Sequence, residues 1–184
     1  MKQLHMRRTA QAIVPAELPA GYAYEHYTGQ SAQNADWLRL CYPTLIPECD
    51  EKWFDSCILH YPDLVPERDL IFVIEISTQK RVATSAAVCH GEEGYIHMVA
   101  ADPCVSGKGI GRAMLAFALQ SLQARGCQYC VLTTDDFRLP AIKIYLDGGF
   151  CPVLVADPES DMQQRWESVL RRLRYAKNVP FLFE

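Results

Sequence analysis

Between Leu70 and Ala101 the sequence alternates three apolar runs with two short polar turns, and this pattern restricts the chain to one local arrangement of strands. Leu70 to Ile76 is an almost unbroken run rich in Ile, Val and Phe, the pattern of a strand covered on both faces. Ser77 to Lys80 and Gly91 to Gly94 are the turns, and they bracket Val82 to Cys89 before a third run, Tyr95 to Ala101. Turns this short join antiparallel neighbours, because a parallel connection needs a crossover of about a dozen residues or more. An antiparallel meander is therefore predicted.

After the meander the period changes. From Ile110 the apolar positions Met114, Phe117, Ala118 and Leu122 recur at helical spacing until Gly126, a glycine placed to follow a helix C-terminus. Gln128 to Thr134 then reads as a strand reached by crossover, a second helix runs from Leu139-Pro140 to Gly148-Gly149, and Phe150 to Val155 reads as another strand. Upstream, Tyr22 to Tyr27 reads as the first strand. Trp37, Leu38 and Leu40, then Trp53, Phe54, Ile58 and Leu59, form two helical patches separated by Pro43 and Pro47. Asp157-Pro158 is expected to cap a last helix whose stripe is Met162, Trp166, Val169, Leu170 and Leu173. The fold class predicted is α/β (α+β), a mixed, mostly antiparallel central sheet with helices on both faces. We expect a single domain over 1–184, with its core at about 20–156 and the amphipathic helix at about 158–175 packed on it.

Composition removes several function classes. The net charge of −4 and a sequence pI near 5.7 argue against wrapping a nucleic-acid backbone, which calls for a basic face. No stretch approaches the ~20 apolar residues of a membrane span, and Met1 to Pro15 carries Lys2, Arg7 and Arg8 without a following apolar run, so a cytoplasmic chain with no membrane partner is expected. The eight cysteines are expected to be reduced thiols. The single CxxC, Cys127 to Cys130, leads into the apolar Val131-Leu132 without a second pair or nearby histidines, so no metal site is predicted and these cysteines are assigned to the strand.

The chemistry is concentrated in Val105-Ser106-Gly107-Lys108-Gly109-Ile110-Gly111-Arg112, directly after a strand and opening a helix. Glycines at 107, 109 and 111 let successive backbone N–H groups turn toward one ligand, and the helix N-terminus adds roughly +0.5 of a charge. Lys108 and Arg112 can add charge-assisted contacts to phosphate oxygens, so an acidic chain can hold a pyrophosphate locally. Two familiar phosphate loops do not fit. Lys108 precedes Gly109 instead of following it, against the Walker pattern, and the third glycine of the dinucleotide fingerprint would fall on Arg112 or Met114.

The frame Ser106-Gly107-Lys108-Gly109-Ile110-Gly111 resembles the coenzyme A loop of the GNAT superfamily of N-acyltransferases, Arg/Gln-x-x-Gly-x-Gly/Ala, with Ser106 where that family usually carries Arg or Gln. Tyr95-Ile96-His97-Met98-Val99-Ala100-Ala101-Asp102-Pro103 is similar to the family's fourth strand, and Ala141-Ile142-Lys143-Ile144-Tyr145-Leu146-Asp147-Gly148-Gly149-Phe150 to its second motif. The resemblance covers about Leu70 to Val155 and implies the acyl-CoA N-acyltransferase fold. It also implies acetyl-CoA, or another acyl-coenzyme A, as acyl donor, and a small-molecule or protein amine as acceptor, with the protein a monomer or homodimer. By the same resemblance Ser106, Gly107, Lys108, Gly109, Ile110, Gly111 and Arg112 hold the pyrophosphate, and backbone groups of Val99, Ala100 and Ala101 hold the pantetheine arm. Tyr145 then protonates the leaving thiolate. His97, which strand alternation places on the side of Tyr95 and Val99, is a candidate base or a packing residue, and Glu75, Glu92, Glu93, Asp135 and Asp136 are other carboxylate candidates. Tyr42, Trp53, Phe54 and Tyr61 fall where an acceptor pocket would be shaped, or belong to the core. A non-catalytic acyl-CoA-binding sensor or interaction module is the alternative function.

Overall fold

The computed structural model describes residues 2–155 and 160–183 and joins eight strands into one sheet. The strands are β1 (Leu4–Thr9), β2 (Tyr22–His26), β3 (Leu70–Glu75), β4 (Lys80–His90), β5 (Glu93–Ala101), β6 (Tyr129–Thr134), β7 (Cys151–Leu154) and β8 (Leu182–Phe183). Their order is β2-β3-β4-β5-β6-β1-β7-β8. The predicted meander is present, since β3, β4 and β5 pair antiparallel in sequence, while β6 joins β5 in parallel.

Helices lie on both faces. One face carries α1 (Ser31–Cys41), α2 (Glu51–Phe54) with its π-helical extension Asp55–Leu59, and α3 (Pro66–Asp69); the other carries α4 (Ile110–Ala124) and α5 (Leu139–Asp147), with α6 (Met162–Leu173) packed against α5. Strand alternation sorts the core accordingly. Ala86 and Val88 pack with Trp37 and Phe54 on the first side, whereas Ala87 and Ile96 pack with Leu115, Leu122 and Trp166 on the second. Gly126 follows α4 at φ +86, the left-handed C′ position that its place in the sequence predicts. The expected cap at Asp157-Pro158 lies outside the described residues, and α6 is described from Met162.

A buried ion pair fastens the two helical layers through the sheet. The Asp69 side chain, fully buried, accepts from Val65 N at 2.8 Å, from Arg68 Nε at 2.7 Å and from Arg125 Nη1 at 2.6 Å. Arg125, at the end of α4, also donates to the Ala87 carbonyl. With its lone pairs occupied, this carboxylate meets the condition under which a buried charge is tolerated.

The strand expected first is in fact second. Leu4–Thr9 forms β1 in the interior of the sheet, antiparallel to both β6 and β7. Leu4 and Met6 point into the core, and the next inward position is Arg8, only 5% exposed. Its Nε donates to Gly148 O at 2.9 Å and its Nη2 to Gln11 O and Ala12 O at 2.8 and 3.0 Å, so the buried guanidinium closes the C-terminus of α5. The apolar alternation that marks a strand breaks at Arg8, which is why apolar pattern alone does not reveal it.

Candidate functional site

A V-shaped opening in the sheet is the first element of the site. Parallel pairing of β5 with β6 covers only Glu93–Tyr95 against Tyr129–Val131, and beyond that point the strands part. From Ile96 to Ala101 the β6-side edge of β5 is therefore unpaired by the sheet, and an extended ligand can satisfy it as an added strand would. Near the vertex, the Tyr95 hydroxyl and Thr133 Oγ1 meet at 3.1 Å across the gap.

A bulge in β5 sets which side chains face the opening. The register with β4 passes from His97 opposite Ala86 to Ala100 opposite Thr84, so Met98 and Val99 together face Ser85, and Met98 adopts φ +51. This corrects the alternation argued from the sequence. His97 does share a side with Tyr95, but Val99 turns to the opposite face and packs among the residues around α4. An inserted residue reverses the in-and-out order beyond it.

The His97 ring stacks on Tyr61 at 4.1 Å between centroids and lies 5.6 Å from Tyr95. Its Nε2 sits 3.0 Å from the Cys57 carbonyl, which can only accept, so Nε2 carries the proton and Nδ1 the ring's lone pair. Burial pushes the His97 pKa down to about 4, partly opposed by that hydrogen bond. Among the aromatic residues of the helical region, Phe54 is buried against Trp37, Tyr42 is exposed, and Tyr61 joins the His97 cluster.

Beyond β5, Asp102 receives Cys104 N at 3.0 Å and Lys80 Nζ at 2.8 Å, fixing a 3₁₀ turn at Pro103–Val105 that delivers the chain to the glycine loop. Gly107 and Gly109 have φ +76 and +86, and Gly109 is the residue that caps α4. Any other residue there would hold a left-handed backbone at a cost of about 1–2 kcal/mol. Among the described residues, the N–H groups of Gly107, Gly109, Ile110 and Gly111 have no acceptor within the protein, whereas Ser106, Lys108 and Arg112 N–H groups donate to Pro103, Val105 and Gly109 carbonyls. Four unmatched donors at a helix N-terminus are an arrangement that can hold an anion. Lys108 Nζ is held by the Tyr22 hydroxyl at 2.9 Å, and Arg112 lies 3.5 Å from Asp147.

Tyr145 projects from α5 on the same side of the sheet as α4. It is buried, set edge-on to Phe150, and its hydroxyl has no hydrogen-bond partner among the described residues. Burial pushes its pKa up to about 12, with Arg138 opposing the rise. Arg138 was not singled out as a site residue by the sequence. It leaves the loop after β6, pairs with Asp135 at 3.0 Å and donates to the Thr44 carbonyl, joining the two helical regions that flank the opening. Asp135 is thereby engaged, and Asp136 holds Arg165 of α6 at 2.5 Å, so neither carboxylate caps α5.

The sequence profile of the Acetyltransferase (GNAT) family matches residues 32–150, well over half of the chain. The chain belongs to the GNAT family. The GNAT match spans α1 through Phe150 and so contains the opening, the glycine loop and Tyr145. A mycothiol acetyltransferase of Beutenbergia cavernae is 25% identical over 148 residues, which cover 78% of this chain and 50% of that protein. A GCN5-related N-acetyltransferase from Sphaerobacter thermophilus superposes with a TM-score of 0.68 at 18% identity, over 81% of this chain and 47% of that one. A structure of the NatC complex bound to Gag peptide and CoA gives 0.59 at 16% identity, over 68% of this chain and 82% of that one. At these identities the structural likeness shows the fold. The chain spans about half the length of the first two of these proteins.

Within this GNAT domain a cavity of about 430 Å³ opens beside Arg112, lined by Ile13, Pro15, Leu115, Ile144 and Lys177 among others. At its edge Asp147 gathers three cations, with Lys143 at 2.6 Å and Arg112 and Lys177 at 3.5 Å each. The surplus of positive charge lies close to the glycine loop. Among the described residues no cluster of His, Cys, Asp and Glu could hold a metal ion, and no helix is long and apolar enough to cross a membrane.

Proposed function

We propose that this GNAT domain binds acetyl-coenzyme A and transfers the acetyl group to an amine of a small molecule or a protein. The observation that carries the reading is the set of four unmatched N–H donors from Gly107 to Gly111, flanked by Lys108 and Arg112. These donors suit a pyrophosphate. In this reading Ser106 offers only a short side chain to the phosphates, and the surplus cations around Asp147 face the nucleotide end of the donor. The pantetheine arm runs along the free edge of β5, against backbone groups of Val99, Ala100 and Ala101, and leads the thioester toward the vertex.

Acyl transfer breaks a C–S bond and forms a C–N bond, while the amine loses a proton and the thiolate gains one. In this reading an N–H group of the β5 bulge polarises the thioester carbonyl, an electrostatic contribution that acts without moving a proton. Tyr145, with its pKa near 12, stays protonated throughout the working range. Complete transfer of its proton to a thiolate of pKa about 8.5 would be uphill by roughly 3.5 units, about 5 kcal/mol. Its role in this reading is therefore to hold the departing sulfur by hydrogen bonding, with the proton supplied in the end by the amine or by water. His97, neutral above pH 5, offers the Nδ1 lone pair to the incoming amine or to a water that carries its proton away.

Calorimetry with coenzyme A and a thiol-release assay with acetyl-CoA and an amine panel, including the acceptor of mycothiol acetyltransferases, test the proposal. Binding heat, a melting shift and release with at least one amine are expected. Neither heat nor shift with coenzyme A would overturn it, and binding without release from any amine would reduce the protein to a sensor.

A further inference from the structure

The Cys127-x-x-Cys130 pair has a third partner that the sequence does not announce. Cys89, near the end of β4, stands opposite Gly94 on β5, and Gly94 stands opposite Cys130 on β6. Positions paired in this way point their side chains to one face, so the three form a row across three strands. The middle of the row is empty because it is glycine; a Cβ there would come within 2.8 Å of Leu122 and 3.1 Å of the Cys130 sulfur. Cys127 reaches this region from the turn after α4, held by its N–H to Leu122 O at 3.1 Å, and its Sγ lies 3.0 Å from the Sγ of Cys89. Both thiols are free and half-buried, within reach of a small reagent, whereas Cys130 is buried.

We propose that Cys89 and Cys127 form a redox-modifiable pair, closed to an intrachain disulfide by a low-molecular-weight disulfide. The sulfurs need approach by only about 1 Å to reach bonding distance. In the first step the thiolate of one cysteine attacks R–S–S–R, forming a mixed disulfide and expelling R–S⁻. In the second, the thiolate of the other cysteine displaces the remaining R–S⁻ and the Sγ–Sγ bond closes. Two electrons pass to the reagent, and the two protons lost by the cysteines appear on two R–SH. Burial and the neighbouring Cys89 sulfur push the Cys127 thiol up to about 12, so exchange is slow at neutral pH and accelerates in alkali. The bond would tie β4 to the start of β6 over β5, at the paired end of the V, and leaves the open end untouched. The inference does not depend on the acetyltransferase reading.

The test is exposure of the full chain to glutathione disulfide at alkaline pH, alkylation of remaining thiols, digestion without reduction, and mass spectrometry. The expected result is one linked peptide pair, Cys89 to Cys127, removed by dithiothreitol, with Tm raised by roughly 5–10 °C in the oxidised protein. Cys130→Ser should retain the link, and Cys89→Ser and Cys127→Ser should each lose it. Full alkylation of all eight cysteines after oxidation, a dominant Cys127–Cys130 bond, or a mixed disulfide that goes no further would each overturn the proposal. The mapping on unsubstituted protein decides the matter even where a variant does not fold.

Discussion

Replacing His97 with Phe should flatten the acid limb of the stability curve. His97 binds a proton with pKa about 4 in the folded chain against 6.5 when unfolded, a difference of roughly 2.5 units. At 1.36 kcal/mol per unit this is at most about 3 kcal/mol of pH-dependent stability, since the part-buried ring keeps some contact with solvent. Between these two pKa values the unfolded chain carries the extra proton, so stability is complete above pH 6.5 and falls as the pH drops toward 4. Phe keeps an aromatic ring against Tyr61 and removes the titration, but leaves the Cys57 carbonyl unmatched at a cost of about 1–2 kcal/mol. Urea unfolding at half-unit steps from pH 7.5 to 4 should therefore find the variant less stable at neutrality and the two proteins equal between about pH 5 and 6, where the parent has lost that 1–2 kcal/mol. Other groups titrate alike in both and cancel. Parallel curves across the whole range would refute the reasoning.

Asp69→Ala should cost about 3–5 kcal/mol in urea unfolding, because it strands the Arg125 guanidinium in the interior; a loss under 1 kcal/mol would place that pair in solvent. Gly109→Val should weaken coenzyme A binding at least ~10-fold by calorimetry, with far-UV circular dichroism unchanged, since the branched residue resists φ +86 where the donors are aligned. Tyr145→Phe should lower kcat by about 10–100-fold with KM for acetyl-CoA within about twofold, an effect confined to the chemical step. For the unsubstituted protein, the pH–rate profile should show no descending limb from Tyr145 below about pH 11, as its hydroxyl titrates near 12; a fall at pH 9 that vanishes in the Phe variant would contradict this.

The meander, the helices α4 and α5 and the glycine loop are legible in sequence because each is encoded by neighbouring residues. Alternation, helical spacing and the glycines at 107 and 109 are all local signals. What escapes is set by distant partners. β1 is hidden because Arg8, polar by type, is made an interior residue by carbonyls of Gln11, Ala12 and Gly148. The bulge at Met98 is hidden because a left-handed methionine is imposed by the register with β4, and nothing in Val99 announces that it faces α4 and not His97. Likewise the stack of Tyr61 on His97 joins a loop to a strand, a contact that neither segment's pattern records. Thus the glycine loop follows from local sequence, whereas the surroundings of His97 depend on tertiary pairing.

The position of β1 bears on how the polypeptide is assembled during synthesis. Its docking partners, Tyr129–Thr134 and Cys151–Val153, emerge from the ribosome long after it does, so Leu4 and Met6 must wait, greasy and unmatched, while the intervening residues are made. Contacts spanning such separations are slow to form and close the structure late. The half of the molecule bearing α5 is thus finished by a strand that was translated before both of its neighbours, and a nascent chain halted before Phe150 would leave that strand without its second neighbour.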